Sequence, residues 1–174
     1  MKKLAALRAH MLAAVPGLAA NPEHLLTYVN DGTIEFYSGP NLTHGYQLTA
    51  NVVITDYAGD LDAITVPLLE WLTTYNPDID PAQAVRIEAE ILANDRLDIA
   101  LTVSLAERVV TRVDAETGAI TIDHRMPAYP GHDIDANAGH WTLYADDTRE
   151  DAGPRELGHW PRADAGSQWP DTDG

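Results

Sequence analysis

Residues 46–60 read Tyr46-Gln47-Leu48-Thr49-Ala50-Asn51-Val52-Val53-Ile54-Thr55-Asp56-Tyr57-Ala58-Gly59-Asp60, and an apolar run follows, ending Val66-Pro67-Leu68-Leu69-Glu70-Trp71-Leu72. Tyr46, Leu48, Ala50, Val52 and Ile54 alternate with Gln47, Thr49, Asn51, Val53 and Thr55, the period-two pattern of a strand with one buried face. Near Gly59 the period changes to about 3.6, and Ile64, Leu68, Trp71, Leu72 and Tyr75 then share one helical face. A strand passes into a helix of roughly Asp60 to Tyr75 at that point. Asp60 is placed to accept backbone hydrogen bonds from the first turn, with Gly59 relieving the reversal before it. Pro67 removes a helix hydrogen bond and predicts a kink.

Working outward, Leu4, Leu7, Met11 and Val15 make one stripe on a helix of about Lys2 to Ala14, which Pro16-Gly17 ends. After the Asn21-Pro22 turn, His24 to Val29 and Thr33 to Tyr37 read as a hairpin about Asn30-Asp31-Gly32, because Asp-Gly tolerates the positive φ of tight reversals. Gly39-Pro40-Asn41 closes that unit. Beyond Asn76-Pro77 and Asp80-Pro81, Val85, Ile87, Ala89 and Ile91 alternate on a strand. Asn94-Asp95 turns it into a long antiparallel partner, Leu97 to Val113, and Glu116-Thr117-Gly118 leads to a last strand through Ile120 and Ile122. Residues 1–125 therefore read as one α+β domain, a mainly antiparallel sheet with helices packed on one face.

The 174 residues suit one domain plus an appendage, and a hydrophobic fraction of 45% supports a core without staples. The absence of cysteine removes disulfides and thiol nucleophiles. Met1-Lys2-Lys3 followed by Leu4-Ala5-Ala6-Leu7 imitates a signal peptide, but Arg8 and His10 interrupt the apolar run, so folding in the cytoplasm is the expectation. No apolar stretch approaches the ~20 residues that span a bilayer, so no membrane association is expected. A net charge of −16, from 27 acidic and 11 basic residues, opposes adhesion to a phosphate backbone.

Residues 126–174 change character. Prolines and glycines recur, and ten acidic residues stand against three arginines after Met126, a composition with no long regular element. Yet Trp141, Trp160 and Trp169, with Tyr129 and Tyr144, lie here. The reading is an extended, irregular C-terminal arm whose aromatic anchors Trp141, Tyr144, Trp160 and Trp169 dock onto a partner or a neighbouring subunit. Folding back onto the arm's own domain is the alternative.

No catalytic constellation emerges. Asp56, Asp60 and Asp62 sit where a strand end or helix start wants acceptors, and Ser38, Ser104 and Ser167 lack the glycines of a nucleophile elbow. His132, Asp133 and Asp135 with His140 or His159 are plausible metal ligands, the basis of a rival reading as a small metal-dependent hydrolase, but their spacing matches no known framework. His10, His24 and His44 stand singly. The expectation is a protein that is not an enzyme and holds neither metal nor cofactor.

The chain resembles the tail completion protein R family of contractile-tailed, Peduovirus-type bacteriophages over roughly residues 1–125. Leu7-Arg8, Val15-Pro16, Asn21-Pro22, Thr55-Asp56-Tyr57-Ala58-Gly59-Asp60, Val66-Pro67-Leu68-Leu69, Trp71-Leu72, Ala89-Glu90-Ile91-Leu92, Asn94-Asp95 and Ala106-Glu107-Arg108-Val109 carry the resemblance in order. It implies a non-enzymatic virion protein, assembled in the host cytoplasm, that terminates the tail at its head-proximal end. The implied form is a homo-oligomeric ring, a hexamer by analogy with tail terminators, that meets tail tube, sheath and neck or connector proteins. DNA would pass through without specific binding. A neck or head-completion adaptor bound to the connector is the variant within the same virion setting.

Overall fold

The computed structural model describes residues 1–38, 42–91, 96–126, 139–145 and 154–161. Helix α1 (Lys2–Ala14) leads through a 3-10 turn at Pro22–His24 into β1 (Leu25–Phe36) and β2 (His44–Tyr57). Helix α2 (Asp62–Tyr75) and a 3-10 turn at Pro81–Gln83 precede β3 (Val85–Ile91), β4 (Leu97–Val113) and β5 (Ile120–Arg125). A separate hairpin follows, β6 (His140–Ala145) and β7 (Arg155–Pro161).

The main sheet runs β1-β2-β4-β3 with every pair antiparallel, and β5 also pairs with β4. Val109 of β4 faces both His44 of β2 and His124 of β5, so β5 lies on the β3 side of β4, further along the same strand. Leu48, Ala50, Val52 and Ile54 of β2 and Ile99, Leu101, Val103 and Leu105 of β4 form the buried face. Against them pack Leu7 and Met11 of α1 and Ile64, Leu68, Trp71, Leu72 and Tyr75 of α2. Trp71 leans on Tyr75 with ring centres 5.3 Å apart.

The expected hairpin at Asn30-Asp31-Gly32 does not form: residues 25–36 are a single strand with a bulge between Val29 and Asp31. Gly32 pairs with Leu48 inside the ladder, and a Cβ there would stand 2.9 Å from the Gln47 carbonyl oxygen, so close strand approach explains the glycine. The strand-to-helix passage falls where the change of period placed it, between Tyr57 and Asp62, but the left-handed residue is Asp56 and not Gly59. Asp56 takes the left-handed conformation at φ 56° within a second bulge, between Ile54 and Tyr57. Arg96 Nη1 holds it from the Asp56 carbonyl oxygen (2.8 Å) and carboxylate (3.0 Å), and Asp56 N–H donates to Asp98 at 2.8 Å. The Asp60 side chain does not cap α2; it accepts from Arg155 of β7 at 2.7 Å, and Leu61 occupies the cap position. Helix α2 continues through Pro67, whose carbonyl oxygen receives a hydrogen bond from His10 Nε2 at 3.1 Å.

The arm also differs from its expected irregularity, because β6 and β7 pair over their whole length. Trp160 is 2% exposed, and a Cβ on Gly158 would touch the Pro16 ring at 3.6 Å. The hairpin thus sits near the end of α1, where the chain's own surface supplies the shelter that the sequence reading assigned to a partner.

Candidate interaction surface

The bulge at Asn30 decides which side chains reach the surface of interest. Before it, Leu26 and Tyr28 lie on the face away from the helices, opposite Val53 and Asn51; one extra residue shifts the alternation, so Ile34 and Phe36 fall on the helix side, opposite Tyr46 and His44. The row Phe36, His44, Val109, His124 crosses four strands on that side, and the row Ile34, Tyr46, Glu107 lies beside it. Thr111 with Ile122 and Val113 with Ile120 continue the same face outward.

Helix cover stops at Glu107. Its carboxylate is fully buried and accepts the N–H groups of Lys2 and Lys3, each at 3.1 Å, at the exposed start of α1. His124 Nδ1 donates to the same carboxylate. Burial alone would raise the Glu107 pKa, but the hydrogen bonds from Lys2, Lys3 and His124 prevail and hold the carboxyl below its ordinary value. Lys3 is buried beside it, and its ammonium is pushed down by burial, with Asp78 and Glu107 opposing that shift.

Beyond this seal Val109 stays buried, but the outer side chains of the same face open to solvent. Ile34 is 62% exposed, Phe36 70% and Ile122 63%. With Tyr37, Leu42, Tyr46, Thr111 and Ile120 they line a shallow hollow of about 640 Å³. The opposite face of the same rows carries charge: Glu35, Gly45, Arg108 and Arg125 form one row from β1 to β5, with Asp31 further along β1 and Arg112 further along β4. The sheet end is therefore apolar on one side. On the other it is acidic at the β1 rim, basic on β4, and charge-balanced at the β5 rim, where Arg125 is ion-paired with Asp123 at 3.2 Å.

A second polar feature ties α2 to the sheet. β3 leaves β4 at Val103 and β5 joins it at Arg108, so among the described residues the edge between them has no strand partner. The buried Asn76 side chain fills the gap, donating to the Ser104 carbonyl oxygen at 2.8 Å and accepting from Ala106 N–H at 3.1 Å. Reading Asn76-Pro77 as punctuation missed this; the only cue was an amide next to a helix end. The Asn30 bulge left no clearer sign, save that a second turn signal, Gly39-Pro40-Asn41, followed it.

The predicted anchors are dispersed. Trp160 is enclosed, Trp141 is half-buried, Tyr144 is 54% exposed on β6, and Trp169 lies outside the described residues. His140 and His159 stack face to face, 5.1 Å between ring centres, and His159 Nδ1 is bonded to Thr142. His132, Asp133 and Asp135 lie outside the described residues, and among those described no three His, Asp or Glu side chains converge on a metal position. Asp56 and Asp60 are each engaged by an arginine. Among the described residues no helix is long and apolar enough to cross a membrane.

A model of the P2 phage tail completion protein R (GpR) family matches residues 1–129. Tail completion protein R of Escherichia phage P2 is 33% identical over 136 residues, covering 75% of this chain and 88% of that relative. No solved structure matches the chain.

Proposed function

This chain belongs to the tail completion protein R family of phages, and from that premise we propose that it halts tail growth as a closed ring at the head-proximal end of the tube. Tail completion is a structural role, and the chain serves it without turning over a substrate. A growing tube presents the same unsatisfied surface after every layer. Growth stops when a subunit satisfies that surface without presenting it again, and a ring whose lateral contacts close on themselves leaves two chemically different faces.

The observation that carries this reading is the uncovered continuation of the core face at Ile34, Phe36 and Ile122. An apolar strip of this kind on a chain of net charge −16 marks a surface made for assembly. Tyr144, exposed on β6, gives the same subunit a further contact with sheath or neck proteins. The acidic balance suits a passage through which DNA slides without adhering; basic side chains lining an assembled lumen would overturn that part.

Electron microscopy of particles made without the protein tests the proposal. Overlong or ragged tails are expected. Tails of normal length beside unattached heads would assign the chain to the neck instead.

A further inference from the structure

We propose that the ring closes by sheet extension, the free edge of β1 in one copy pairing with the free edge of β5 in the next. The inference rests on the ring reading above and names its lateral interface. Each described strand of the main sheet has its neighbours assigned, and two edges remain without a strand at the uncovered end, β1 on one side and β5 on the other.

Strand direction favours the pairing. Every neighbour in the row β1-β2-β4-β5 is antiparallel, so β5 runs opposite to β1. A second copy set beside the first in the same orientation brings its β1 antiparallel to the first copy's β5, the stronger form of ladder. The junction then repeats the same contact at every step, a heterologous interface of the kind that closes by rotation.

Both faces of the junction match. On the helix side, Ile34 and Phe36 at the β1 rim meet Ile120 and Ile122 at the β5 rim, all four exposed in the single chain. On the far side, β5 carries Thr121, Asp123 and Arg125, the last two ion-paired at 3.2 Å; in the register that sets Ile34 opposite Ile122 and Phe36 opposite Ile120, Asp31 falls opposite Arg125, Thr33 opposite Asp123 and Glu35 opposite Thr121. A slip of two residues either way sets Asp123 opposite Glu35 or Asp31, so like-charge repulsion selects the register that pairs Ile34 with Ile122 and Phe36 with Ile120. A chain of net charge −16 repels its copies over most of its surface, whereas this end offers an uncharged apolar strip and, at β5, an arginine balanced by Asp123. Pairing two β1 edges instead would oppose Glu35 and Asp31 to their own copies.

The absence of cysteine from the sequence makes the contact directly testable. Glu35→Cys and Thr121→Cys both place a thiol on the exposed far face, away from the apolar strip. The full-length variants, incubated with phage tail tubes and a short bis-maleimide, are compared on a denaturing gel. An equal mixture of the two single variants is expected to give a cross-linked dimer and nothing larger. The double variant gives a ladder ending at the ring size, and each single variant alone stays monomeric. No dimer from the mixture, or a dimer from Glu35→Cys alone, would overturn the β1–β5 pairing. Neither result touches the tail-completion reading, which is decided by tail lengths in particles lacking the protein.

Discussion

The Glu107 carboxylate on β4 accepts a hydrogen bond from His124 Nδ1 on β5 while it also receives the first N–H groups of α1. One side chain thus joins the helix layer to the outer end of the sheet, at the boundary between the covered core and the open strip. Its folded-state pKa is depressed, so the carboxyl releases its proton more readily in the folded chain than in the unfolded one. The resulting stability is complete above the ordinary glutamate value of about 4.3 and disappears as pH falls through the lower folded value. Glu107→Gln is expected to be less stable than the parent at neutral pH, and the gap should shrink on acidification in urea titrations from pH 7 to 3. A gap independent of pH would refute this account of the seal.

Gly59 has no room for a methyl group: a Cβ there would lie 2.4 Å from the Tyr57 hydroxyl oxygen and 2.6 Å from its ring. The ring is held in the core at 7% exposure, so Gly59→Ala should cost about 1–3 kcal/mol by overpacking. The Tyr57 hydroxyl is buried without a hydrogen-bond partner among the described residues, so Tyr57→Phe should be neutral or stabilising and should soften the penalty in the double variant. Chemical denaturation of the three variants measures both effects.

Asn76 supplies the hydrogen bonds that a strand would give β4 between β3 and β5. Asn76→Leu leaves a carbonyl oxygen and an N–H unpaired in a buried site and should cost about 1–3 kcal/mol for each group. Asn76→Asp keeps an acceptor for Ala106 but offers no donor to Ser104, so it should also lose stability. A fully stable leucine variant would mean that solvent reaches this edge.

Trp160 is sheltered by the chain itself, and Arg155 of the same strand holds Asp60. Trp160→Ala should therefore loosen the hairpin without melting the sheet. Hydrogen exchange is expected to accelerate at β6 and β7 amides and to stay slow at β2 and β4. Equal acceleration throughout would show that the hairpin belongs to the same cooperative unit as the core.

Much of the fold could be read in advance wherever one period dominated. The stripe of α1, the alternation of Tyr46 to Ile54 and the shared face of Ile64, Leu68 and Trp71 each have a burial pattern that local sequence determines. The failures share a cause. Asn30-Asp31-Gly32 carries the chemistry of a tight turn, yet β2 offers a ladder on both sides of it, and pairing along the whole length outweighs the local preference. Asp60 has the right type and spacing for a cap, but an arginine 95 residues away takes its carboxylate. Trp160 read as an external anchor because it lies in an acidic, Pro/Gly-rich arm, yet it is enclosed within the chain, on a strand whose Gly158 lies close to Pro16 from far along the sequence.

The sequence by itself determined the class of the protein, its acidic and cysteine-free character, its family, and the helix and strand periods that build an α+β core. Those properties are local or additive, so a linear reading captures them. Only the tertiary structure decided that a one-residue bulge turns Ile34 and Phe36 to the helix side, that Glu107 closes the core beneath α1, and that both outer strands of the sheet end carry exposed apolar side chains on the same face. Each of these depends on register between strands distant in sequence, and a shift of one residue exchanges the two faces of a sheet.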